Sequence, residues 1–109
     1  MKLLTKTIEK TLPAPYAQDG KGEDAVVHIK FFSPVGAATW FITEYDPEER
    51  VFFGYADLYG QGPEGGAELG YVSLDELESV RLPFGLGIER DIHWTPCTLA
   101  EAKAKHYNR

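Results

Sequence analysis

The chain has 109 residues, 43% of them hydrophobic and 26% charged, which is the balance of one folded domain over residues 1–109 rather than of a disordered polymer. A net charge of −6 argues against nonspecific attachment to a nucleic-acid backbone, which depends on clustered Lys and Arg. No segment carries the continuous apolar run of a signal peptide or membrane span, and Cys97 is the single cysteine, so the expectation is a cytoplasmic protein without a disulfide.

Leu3, Leu4, Ile8 and Leu12 recur at helical spacing, with Thr5 placed to cap a short helix that stops before Pro13 and Pro15. Residues 16–24 are polar and rich in Gly and Asp, and read as a loop. Residues 25–33 alternate, which places Val27, Ile29 and Phe31 on one face of a strand, opposite Val26, His28, Lys30 and Phe32. The turn residues Pro34, Val35 and Gly36 lead to a second strand over 38–46, and the turn beginning at Asp46 and Pro47 leads to a third over 50–59. A fourth strand over 68–73 ends at Ser73, which has capping-box spacing to Glu76 and opens a short helix to about Val80. Residues 81–87 form an irregular loop, and 88–95 fit either helix or strand periodicity. Thr98 and Glu101 repeat the capping-box pattern before an alanine-rich terminal helix. The fold class is therefore α+β, an antiparallel meander of four to five strands with two to three short packing helices.

For each candidate chemistry a structural reading accounts better for the same residues. Residues 60–65 spell G-x-G-x-x-G, but they run from strand to strand rather than into a helix, so they read as a glycine-rich hairpin loop and no cofactor is assigned. Glu89, Asp91 and His93 project together if their segment is a strand, as an acid/base or metal set requires, and otherwise form a solvated face. Arg90, flanked by Ile88, Ile92 and Trp94, then needs a carboxylate or an aromatic face. Glu44 and Asp46 share a strand face, the arrangement of a hydrolytic pair or of plain surface charge. Lys30 beside Phe32, with the basic termini, is the minimum a single-stranded nucleic-acid binder would need.

Charge is segregated along the chain. Ten acidic residues (Glu44, Asp46, Glu48, Glu49, Asp57, Glu64, Glu68, Asp75, Glu76 and Glu78) face one basic residue, Arg50, in the middle, whereas Lys2, Lys6, Lys10, Lys103, Lys105 and Arg109 load the ends. Aromatic residues crowd the predicted strands on both faces, more than one core face needs. With three helices available, the expectation is that helices cover the second face. Any part left open would be an aromatic patch rimmed with acid, suited to protein recognition through Glu44, Tyr45, Asp46, Phe53, Tyr55, Tyr71 and Arg90.

Six strings, at residues 3–6, 25–32, 43–46, 52–54, 69–74 and 88–91, together resemble the DUF2958 family of small bacterial domains. The resemblance implies a protein carried by plasmids, integrative elements and phages, with no established activity and no catalytic residue to transfer. The expected function is a non-enzymatic protein-interaction or regulatory module of a mobile element. A narrower form is an acidic imitation of nucleic acid acting against host defence. The alternatives are a small enzyme built on Glu89, Asp91 and His93, and a single-stranded nucleic-acid binder.

Overall fold

The computed structural model describes residues 2–108, so Arg109, counted above among the basic terminal residues, lies outside the described residues. Five antiparallel strands form the main sheet: β2 (Ile29–Phe32), β3 (Thr39–Asp46), β4 (Val51–Asp57), β5 (Glu68–Ser73) and β6 (Glu89–Arg90), in the order β5-β4-β3-β2-β6. Two short strands, β1 (Val26–Val27) and β7 (Cys97–Thr98), pair separately. The helices are α1 (Lys6–Glu9), α2 (Leu74–Ser79) and α3 (Leu99–Tyr107). The α+β meander read from the sequence is thus the architecture observed. No helix among the described residues is long and apolar enough to cross a membrane.

The caps do what their spacing implies. Thr5 accepts a hydrogen bond from the Ile8 amide, Ser73 from Glu76, and Thr98 with Glu101 forms the full reciprocal box that opens α3. At the β3–β4 turn Asp46 Oδ1 accepts from the amides of Glu48 (2.9 Å) and Glu49 (3.3 Å), and Arg50 adopts φ +55° to re-enter the sheet.

Two breaks in phase organise the molecule. The alternation over residues 25–33 reads as one strand, but the chain divides at His28, and Val27 turns away from Ile29 and Phe31 into a second core. In β3 a bulge lies between Ile42 and Glu44. Before it Trp40 and Ile42 face the first core, and after it Tyr45 does, so Glu44 swings to the opposite face.

The first face of the sheet carries Phe31, Ile42, Tyr45 and Phe52, closed by Leu3 and Leu4 and by Leu74 and Leu77 of α2, with Ile8 of α1 packed at its margin. The second face has Phe41 and Tyr55 beneath Leu99 and Ala102 of α3. Helices α1 and α2 thus both serve the first face, leaving only α3 for the second. The expected full coverage by helices does not occur. What lies over the remainder is a loop.

Candidate functional site

The uncovered half of the second face belongs to Glu44, Phe53, Leu69 and Tyr71, and residues 15–22 arch across it. Gln18 holds that arch in place. Its side chain is buried and donates from Nε2 to the carbonyls of Val26 and Thr43 (both 2.9 Å), while its Oε1 accepts from the Val26 amide at 2.7 Å. Glu44, brought to this face by the bulge and only 6% exposed, accepts from the backbone amides of Tyr16 (2.8 Å) and Gln18 (2.9 Å), one on each carboxylate oxygen. Loop and sheet are therefore joined by five hydrogen bonds spanning 8 to 28 residues of sequence. Substituting Gln18 with alanine strands three backbone groups, and we expect a loss of about 2 kcal/mol in urea unfolding. Faster amide exchange should be confined to residues 16–24 and their partners on β1 and β3.

Beneath the arch is a cavity of about 740 Å³. Phe53 forms part of its wall, with the ring of Tyr71 edge-on to it at 5.4 Å between centroids. Tyr16 and Tyr71, 71% and 69% exposed, stand at the mouth from the two sides, and Leu69 is exposed beside them. The Tyr71 hydroxyl ionises above the ordinary tyrosine range, chiefly because of its hydrogen bond and charge interaction with Tyr16, with burial and then the charges of Glu44 and Asp19 adding smaller effects. Asp19, Glu44, Asp46 and Glu49 all line the cavity, and among the described residues no Lys or Arg does. Rings and carboxylates converge here.

The residues singled out from sequence separate into three groups. Asp46, Phe53 and Tyr71 line this cavity, with Glu44 at its buried end. Tyr45 and Tyr55 are buried in the two cores, at 4% and 3% exposure, Tyr45 because the bulge rotates it inward, where it still borders the cavity, and Tyr55 because α3 covers it. Arg90 stands apart from the cavity: its guanidinium donates to the carbonyls of Lys2 (2.7 Å) and Leu3 (2.8 Å), pinning the N-terminal segment to the sheet edge.

Glu89, Asp91 and His93 are not gathered. Only Glu89 and Arg90 are in a strand, Asp91 Oδ1 accepts the backbone amide of His93 in a turn, and none of the three lines a described cavity. Among the described residues no group of three or more His, Cys, Asp or Glu is placed to hold a metal ion. Burial pushes the Cys97 thiol above its ordinary range, opposed by Lys105. Residues 62–65 of the glycine-rich loop form a short 3-10 turn leading into β5.

Sequence reasoning missed two features. Tyr16, Gln18 and Asp19 fall within the segment that reads as a loop, and no local pattern signals that the Gln18 side chain and the Tyr16 and Gln18 amides tie it to the sheet. The second is a polar knot at the far end of β4. Asp57 is fully buried: its Oδ2 accepts from the Tyr107 hydroxyl at 2.5 Å and the Gly62 amide at 3.2 Å, and its Oδ1 from the Gly60 amide at 2.8 Å. Tyr107 thereby spends its proton, so the Tyr55 hydroxyl, 3.2 Å away, is the donor to Tyr107. His106 Nε2 lies 3.6 Å from the same carboxylate. A second cavity of about 580 Å³, lined by Lys30, Phe32, His106 and Tyr107 among others, adjoins the knot.

The family model for DUF2958, a protein of unknown function, matches residues 3–105. The chain belongs to that family. The match runs from ahead of α1 into α3 of this DUF2958 domain, taking in the arch, the bulge and β5, and assigns no activity to them. No curated protein and no solved structure is similar enough to this chain to carry a comparison.

The ten acidic residues of the middle segment are divided in space. Glu44 and Asp57 are buried, Glu64 and Glu68 lie at the Asp57 end of β4, and the other six gather at the β3–β4 turn and on α2. There Arg50 bonds Asp75 (2.9 Å) and Glu78 (3.3 Å). On the α3 side, Lys30 and Lys105 lie about 6 Å from the Trp94 ring, and Lys103 sits 4.3 Å from that of Tyr55.

Proposed function

We propose that this DUF2958 domain is a non-enzymatic interaction and regulatory module of a mobile genetic element, which binds a protein by receiving a cationic segment of it in the groove between the arch and the sheet. The supporting observation is the lining of that groove: four carboxylates, exposed aromatic rings at the mouth, and no Lys or Arg among the described residues. A guanidinium or ammonium group entering there gains ring faces and carboxylates together, the combination that favours an organic cation over a neutral or acidic group. Electrostatic focusing in a concave site adds to the on-rate of such a partner.

Amide-resolved NMR titration tests this with two blocked tripeptides, one centred on arginine and one on glutamate. The arginine peptide is expected to shift Tyr16, Phe53 and Tyr71 and to bind more weakly as salt is raised, and the glutamate peptide to leave them unmoved. Tyr71→Ala removes an exposed ring, so we expect stability within about 0.5 kcal/mol of the parent and affinity for the arginine peptide reduced by about tenfold. Equal binding of both peptides, or shifts confined to other surfaces, would exclude the groove as the recognition site. The narrower form, imitation of nucleic acid against a host defence protein, draws on the six carboxylates at the turn and α2. It predicts that this domain competes with duplex DNA for a basic DNA-binding protein.

A further inference from the structure

Resting on that reading of the groove, the geometry points to how the partner docks: we infer that its cationic segment adds as an extra strand to the open edge of β5. Strand β5 is last in the sheet order and pairs on one side only, with β4, in an unbroken register from Val51 opposite Ser73 to Ala56 opposite Glu68. Its other side carries backbone donors and acceptors free to pair with a further chain.

Apart from the charge of Glu68 at its first position, the usual protections of such an edge are missing. The six residues contain no Lys and no Pro, the register with β4 has no bulge, and a Cβ built on Gly70 would meet nothing within 4 Å. Opposite it, β6 at the other end of the sheet is only two residues long, too short to template a partner. Length and exposure thus single out β5.

The same strand is the outer wall of the groove. Leu69 and Tyr71, two residues apart and so on one face, both line the cavity and are both exposed. A strand paired beyond them places its own alternate side chains on that face, next to Tyr71 and the groove mouth, while the intervening ones point to the other face. Backbone pairing supplies the register, and the acidic groove selects which side chains suit it.

Charge decides among occupants. A second copy of this chain could pair β5 with β5, but each copy carries a net charge of −6 and would bring its own carboxylate-lined groove to the same face. A basic extended segment of about six residues, roughly 20 Å long, meets the opposite field.

The test uses a blocked octapeptide of alternating arginine and valine, with two derivatives N-methylated at either the odd or the even residues. Side chains and charge are the same in all three, and only the backbone donors of one edge differ. Expected are shifts at Tyr16, Phe53 and Tyr71, slowed amide exchange within residues 68–73, and binding at least tenfold weaker for one methylated peptide than for the other. If all three bind alike with the same groove shifts, strand addition is overturned and the groove reading stands. If none moves the groove residues, both fail. Protection of β5 that rises with protein concentration and ignores the peptide assigns the edge to a second copy and overturns the inference.

Discussion

Gly54→Ala will destabilise this domain by about 3 kcal/mol, a large effect for a single methyl group. A Cβ at Gly54 would fall on the carbonyl oxygen of Phe41, well inside contact distance, and 3.0 Å from the Ile42 Cα. These are backbone atoms of the neighbouring strand, so no rotamer change relieves the clash. The strand itself must move. Gly54 pairs with Ile42 immediately before the bulge, and Thr43 Oγ1 donates across the bulge to the Phe53 carbonyl at 3.1 Å. Displacing β3 here disturbs the element that turns Glu44 toward the loop. Two losses should therefore appear together: a lower urea midpoint, and rapid exchange at the Tyr16 and Gln18 amides that Glu44 holds. A variant with unchanged midpoint and intact protection of those amides would show that β3 and β4 yield without cost, contrary to the close-packed geometry.

The elements of this fold are legible in the sequence where local chemistry sets them. Thr5, Ser73 and Thr98 announce their helices because a cap needs only neighbours three residues away. The strand pattern of Trp40 and Ile42, of Phe52, and of Ile29 and Phe31 marks one core face for the same reason. The candidate site escaped because it depends on two departures from periodicity and on long-range contacts. An alternating pattern cannot announce the residue at which a strand changes phase, so the break at His28 and the bulge before Glu44 were invisible, and with them the inward turn of Tyr45. Phe53, Tyr71, Asp46 and Glu44 were recognised as one acidic aromatic group, but the arch that makes them a groove is tied on by Gln18 and Glu44 across up to 28 residues. Count alone misled the coverage estimate: three helices exist, but the first core takes two.

Removing the Asp57 carboxylate is expected to cost about 3 kcal/mol, because its replacement by alanine leaves the Gly60 and Gly62 amides and the Tyr107 hydroxyl without their acceptor in a buried site. The knot also imposes a pH dependence with two edges. Burial alone would raise the pKa of Asp57, but hydrogen bonds from Tyr107, Gly62, Gly60 and Tyr59 outweigh it and hold the carboxyl below its ordinary value. The stability it contributes is accordingly present above the unfolded-state pKa of about 4 and disappears as pH falls through the lower folded-state value. Tyr107 works in the opposite sense. Burial first, then its bond to Asp57, raises its pKa, so its contribution is present below about pH 10 and declines as pH rises beyond that. Urea unfolding of the parent, Asp57→Asn and Tyr107→Phe from pH 2.5 to 11 resolves the two. The parent should lose stability relative to Asp57→Asn only at the acid end, and relative to Tyr107→Phe at the alkaline end. Parallel curves throughout would mean that the knot is equally well formed in either protonation state, which a fully buried carboxylate holding these donors does not permit. Because the knot lies at the Asp57 end of β4, away from the β3–β4 turn beside the groove, the folded population at neutral pH should keep the parent's affinity for the arginine peptide. Stability and recognition thus separate at opposite ends of one strand.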